Sequence, residues 1–107
     1  MQIYTEDEEL EALILYGITT GRKYKKLGKS GKFLRDLNHV MSILRMQPDT
    51  ASLRAFGSLH YEKLRHNLSG YSSVRVGYNT KYRLIFEEFE NGIKIKLIEI
   101  NEHYGDK

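Results

Sequence analysis

The run Glu62-Lys63-Leu64-Arg65-His66-Asn67-Leu68-Ser69-Gly70-Tyr71 sets one carboxylate among cations. The same chemistry returns in Val74-Arg75-Val76, in Tyr82-Arg83-Leu84-Ile85-Phe86 and in His103-Tyr104. Together these residues offer a carboxylate to accept a proton, an imidazole that titrates near neutral pH, a phenol, and guanidinium groups that match phosphate oxygens two at a time. That set suffices for metal-free acid/base chemistry on a phosphodiester, and cleavage of RNA is the expectation it raises.

Each residue taken alone has an ordinary explanation. Glu62 beside Lys63, Arg65 and His66 reads as a solvated ion pair of little energetic worth. Either strand arginine reads as a surface side chain lying over apolar neighbours. His103, near the chain end, reads as solvent-exposed, and Tyr71, Tyr82 and Tyr104 as core or rim aromatics, although a base can stack on an exposed ring. The alternation of a strand is what lifts the set above its parts. Val74 and Val76 share one face while Arg75 takes the other, and Arg83 lies opposite Leu84 and Phe86, so two arginines on one sheet face would form a cationic floor for a phosphate.

The elements that must carry these residues are legible from periodicity. A first strand is expected at Gln2 to Tyr4, then an acidic helix from about Asp7 to Tyr16 stopped by Gly17. Thr19 to Gly31 is polar, basic and glycine-punctuated, and reads as a loop or frayed extension. Phe33, Leu34, Leu37, Val40, Met41 and Leu44 recur at helical spacing as far as about Met46. Gln47-Pro48-Asp49-Thr50 ends that helix, and a short helical turn is expected at Ala51 to Phe56. Glu62 falls in a polar loop. Ser73 to Gly77, Lys81 to Phe89 and Ile93 to Ile100 then read as three strands joined by tight turns. The expected fold class is α+β, a small antiparallel sheet with two N-terminal helices packed on one face, in one domain spanning residues 1–107.

Composition narrows the function classes. The net charge of +3 and pI near 9.1 are only mildly basic. The distribution is polarised: Glu6, Asp7, Glu8, Glu9 and Glu11 crowd the N-terminus, whereas Arg22, Lys23, Lys25, Lys26, Lys29, Lys32 and Arg35 run without an acid among them. Such a basic stretch is by default a solvated face; its functional reading is salt-dependent attraction to a phosphate backbone through residues such as Lys25, Lys26 and Lys29. With no cysteine there is no thiolate nucleophile and no cysteine zinc site. His39, His60, His66 and His103 lack tight ligand spacing, so no metal and no cofactor is expected. Gly28-Lys29-Ser30 imitates the end of a phosphate-binding loop, but Lys23 occupies the place of its first glycine, which argues against a nucleotide triphosphatase. No apolar run reaches the length of a membrane span, and the cytoplasm is the expected location.

The segment from Glu62 to Val76, with Tyr82-Arg83-Leu84-Ile85-Phe86 and His103-Tyr104, resembles the RelE/ParE superfamily of type II toxins, the YoeB branch above all, and the helix before it is similar to HigB-type toxins. The resemblance in motifs covers roughly residues 59–104. It implies a small microbial-ribonuclease-like sheet and a toxin of a toxin–antitoxin system that enters the A site of the 70S ribosome, cuts mRNA there, inhibits translation and is blocked by a cognate antitoxin. It further implies that Glu62 is the general base on the 2′-hydroxyl, that Arg83, assisted by Arg75, stabilises the phosphorane, and that His103 protonates the departing 5′-oxygen. Tyr104 would orient or stack on substrate, and Lys63, Arg65 and His66 would hold flanking phosphates or ribosomal RNA. The chain departs from the pattern in three places: Ser72 stands where a tryptophan is common, Gly105-Asp106-Lys107 follows the His-Tyr pair, and Thr19 to Gly31 is long. The competing expectations are a ParE-like toxin that binds DNA gyrase without cutting RNA, and a non-catalytic RNA-binding module. The acidic helix and basic face also fit an electrostatically balanced homodimer.

Overall fold

A computed structural model describes residues 1–102 of the chain. Its elements are β1 (Gln2–Thr5), α1 (Glu8–Tyr16), α2 (Lys25–Gly28), α3 (Gly31–Met46), β2 (Glu62–Lys63), β3 (Tyr71–Arg75), β4 (Arg83–Phe89) and β5 (Lys94–Asn101), with 3-10 turns at Ala51–Ala55, Gly57–Leu59, His66–Leu68 and Glu90–Gly92. The α+β class expected from periodicity is the class observed.

Both long helices begin where the sequence provides a cap. Asp7 accepts from the backbone N–H of Glu9 and Leu10, and three acids in the first turn of α1 complement its dipole. Gly17 closes that helix with φ +69, a left-handed geometry natural to glycine. Ser30 caps α3 by accepting from Phe33 N–H at 3.1 Å, which gives the end of Gly28-Lys29-Ser30 a structural task. The basic segment before it is not all loop. Tyr24 is buried and its hydroxyl accepts from the Ile100 N–H at 3.2 Å, so this segment is fastened to β5 tightly enough for the short α2 to form.

The sheet runs in the order β1-β5-β4-β3-β2. β3, β4 and β5 are antiparallel, as expected; β2, in a segment expected to be a loop, adds to β3 antiparallel, and β1 joins β5 in parallel, so the sheet is mixed. A first and a last strand can pair in this sense because the connection between them is long, running through the helices and then through β2, β3 and β4. Leu10, Leu13, Phe33, Leu37, Val40 and Leu44 from the helices pack against Val74, Val76, Leu84, Phe86, Ile95 and Leu97 of the sheet in one apolar cluster. At Ile85/Phe86 the β4–β5 register shifts: Ile85 opposes Glu99 while Phe86 opposes Leu97, leaving Ile98 as an extra residue. This bulge re-phases β5, which is why Ile100 joins Leu97 in the core and Asn101 comes to oppose Arg83. No helix among the described residues is long and apolar enough to cross a membrane.

Candidate active site

Glu62 lies on a strand, not in a loop. β2 is only two residues long, and its register sets Glu62 opposite Ser73 and Lys63 opposite Ser72. A strand this short has little ladder of its own; the N–H of Leu64 extends it by donating to Tyr71 O at 2.9 Å, and the buried Leu64 anchors its end. Alternation turns Glu62 toward the sheet face away from the helices. That face carries Ser73 and Arg75 of β3 and Arg83 and Ile85 of β4, with Arg75 and Arg83 directly opposite one another.

Arg83 crosses this face toward β2. Its Nε donates to Ser73 Oγ at 2.8 Å and its Nη2 to the carbonyl of His60 at 2.6 Å, while Nη2 stands 3.5 Å from Glu62 Oε2. The guanidinium side chain is only 7% exposed and the Glu62 side chain 46% exposed. A buried cation held at fixed bearings thus lies beside a carboxylate open to a ligand, the arrangement required of a charge stabiliser next to a proton acceptor. His60 contributes its carbonyl from a left-handed backbone (φ +47), and His66 repeats that conformation (φ +59) just beyond β2. Non-glycine residues in this region carry strain, and two of them bracket the strand that bears Glu62.

A cleft of about 560 Å³ opens along β2, lined by Arg54, Tyr61, Glu62, Lys63, Arg65 and His66 among others. Lys63, Arg65 and His66 are exposed there beside the carboxylate. Lys25, Lys26 and Lys29 are exposed elsewhere, on and after α2, and Lys26 lines a separate cleft with Tyr82, Glu99, Asn101 and Glu102. Lys23 joins Lys26 there, so the cleft balances two lysines against two carboxylates, and because Asn101 opposes Arg83 it adjoins the site from the β5 side. Tyr82 packs edge-on against Phe33, centroids 5.2 Å apart, as a rim aromatic. His103 and Tyr104 lie outside the described residues.

Four contributors were hidden in the sequence. Ser73 and the His60 carbonyl orient Arg83; Arg54 stands over the Tyr61 ring at 4.8 Å; and Glu88, behind β2, accepts from Tyr61, Ser72 and Thr50. Ser72, a departure from the pattern noted above, therefore serves as a donor. Burial opposes ionisation of Glu88, but these three hydroxyls and the Lys63 ammonium outweigh it and hold its carboxyl below the usual value. The only available sequence signal was that Ser72, Ser73 and Arg83 fall on strands whose neighbours are apolar.

No family model and no curated protein matches the chain. Solved structures do. A YoeB/ParE toxin from Agrobacterium tumefaciens superposes with a TM-score of 0.59 at 14% identity, covering 97% of this chain and all of the other. The YoeB-YefM complex from Staphylococcus aureus gives 0.56 at 23% identity, covering 97% and 98%, and a YoeB dimer from the same organism gives 0.51 at 22% identity over the same shares. With coverage this complete on both sides, the fold of the chain is that of the YoeB/ParE toxins.

Proposed function

We propose that the protein is the toxin of a toxin–antitoxin pair, one domain over residues 1–107, acting as a ribosome-dependent endoribonuclease that cuts mRNA in the A site and so arrests translation. The observation that supports this most strongly is the junction of Glu62 and Arg83 across β3, 3.5 Å apart on the sheet face away from the helices.

Glu62 takes the proton of the RNA 2′-hydroxyl, and the freed oxygen attacks the adjacent phosphorus. Arg83, already aimed by Ser73 and His60, neutralises charge growing on the phosphorane oxygens, with Arg75 opposite it in register as the second cation. His103 donates a proton to the leaving 5′-oxygen, and Tyr104 orients the substrate. The products are a 2′,3′-cyclic phosphate and a 5′-hydroxyl. Dependence on the 2′-hydroxyl makes RNA the substrate and excludes DNA. Lys63, Arg65 and His66 hold flanking phosphates or ribosomal RNA, and Lys25, Lys26 and Lys29 add backbone attraction from the β5 side. A cognate antitoxin covers this cationic surface with an acidic or amphipathic segment, and the cytoplasm is where the substrate is met.

Primer extension on an mRNA translated in a purified system, comparing wild type with the double variant Glu62→Gln/His103→Ala, tests this reading. Cuts within translated codons that vanish in the variant support it. Absence of cuts by folded wild-type protein overturns it in favour of gyrase inhibition or simple binding.

A further inference from the structure

We propose that Glu88 is a positioning residue: it grips the strand bearing Glu62 from behind and thereby keeps that carboxylate aligned with Arg83. The inference rests on the reading of Glu62 as the general base.

Tyr61 and Lys63 flank Glu62, so alternation sends both to the opposite sheet face. Glu88 meets them there. Tyr61 donates its hydroxyl to Glu88 Oε2 at 2.5 Å, and Lys63 Nζ stands 3.5 Å from Oε1. Ser72 of β3 donates to Oε2 at 2.6 Å, and Thr50 to Oε1 at 2.8 Å. A carboxylate has about four acceptor positions, and each Glu88 oxygen meets two donors. With its side chain 16% exposed and its lone pairs so committed, Glu88 is poorly placed to accept a substrate proton; what it can do is hold position.

The same strand thus grips β2 on both faces. On the front, Arg83 of β4 reaches Glu62 past Ser73; on the back, Glu88 of β4 reaches Tyr61 and Lys63 past Ser72. Ser72, Ser73, Arg83 and Thr50 are the buried polar residues among those described, and every one of them belongs to these two grips. A two-residue edge strand needs such support, because a displacement of about 1 Å at a catalytic group can cost on the order of a hundredfold in rate.

The test has two arms. In the first, amide hydrogen exchange at Leu64, whose N–H closes the β2–β3 ladder, is compared between wild type and Glu88→Gln; an acceleration of about tenfold or more is expected. In the second, cleavage of ribosome-bound mRNA by Glu88→Gln should show kcat lowered by about tenfold to a hundredfold with KM within twofold, and no further loss when the substitution is made in Glu62→Gln. Tyr61→Phe, which keeps the ring stacked on Phe86 and removes only its hydroxyl, should give the same pattern more weakly and serves if Glu88→Gln does not fold. Unchanged exchange overturns the proposal, as does an equal loss of cleavage in the Glu62→Gln background. Faster exchange in a protein whose wild type cuts no RNA would uphold the grip and refute the nuclease reading, so the two failures are distinct.

Discussion

Arg83 is the residue on which fold and chemistry meet. Its side chain is almost wholly enclosed, yet its donors engage Ser73, the His60 carbonyl and Glu62. From sequence alone, alanine at this position should remove activity and spare the fold. Burial changes that expectation, because Arg83→Ala leaves the buried Ser73 hydroxyl and the His60 carbonyl without this donor, at a cost of about 1–3 kcal/mol. Chemical denaturation should therefore show Arg83→Ala clearly destabilised. Arg83→Lys should be milder in stability but still strongly impaired in cleavage, since an ammonium cannot reproduce the guanidinium's parallel contacts. An Arg83→Ala protein as stable as wild type would mean that these contacts contribute nothing in solution.

Among the elements, α3 shows how a motif-like triplet serves packing. Ser30 follows the short α2 and caps α3, whose apolar stripe of Phe33, Leu37, Val40, Met41 and Leu44 carries the helical side of the core. Ser30→Ala should cost about 1 kcal/mol, a fall of about 4–8 °C in Tm for a domain of this size, with RNA cleavage at permissive temperature unchanged. Calorimetry and the primer-extension assay separate the two readouts. A loss of cleavage without loss of stability would give Ser30 a role in phosphate contact that its hydrogen bond to Phe33 does not support.

For the whole molecule, the distribution of carboxylates sets the response to acid. Burial pushes the Asp7 carboxyl up, but the Lys23 ammonium and the N–H groups of Leu10 and Glu9 outweigh it and hold the group below its ordinary value, and Glu88 is depressed in the same direction. A carboxyl whose folded pKa lies below its unfolded pKa contributes fully above the unfolded value and loses that contribution as pH falls through the folded one. The contribution of these two carboxylates should thus be level above about pH 5 and decline below about pH 4. Asp7→Asn keeps a capping acceptor while removing the pair with Lys23, so denaturation midpoints across that window should decline less steeply than in wild type. On the alkaline side burial raises the Tyr24 and Tyr61 phenols, and their contribution, present below about pH 10, is lost above it.

Local chemistry determined much of this protein from sequence alone. The helical stripe of α3, the glycine that closes α1, the proline that ends α3 and the alternation that separates Arg83 and Arg75 from Val74, Leu84 and Phe86 depend on neighbours a few residues away, and each is found where the pattern set it. Tertiary structure decided the rest. Two residues cannot display a period, so β2 is defined only by its pairing with β3, and Glu62 gains its bearing from that pairing. The parallel docking of β1, the bulge that brings Asn101 opposite Arg83, and the anchoring of α2 through Tyr24 all join residues more than ten positions apart. The grips on the two faces of β2 are of the same kind: Ser73, Thr50 and Glu88 are unremarkable in sequence and Ser72 stands out only by the tryptophan it replaces, and all four become a support only when β4 brings its two faces to bear on one short edge strand.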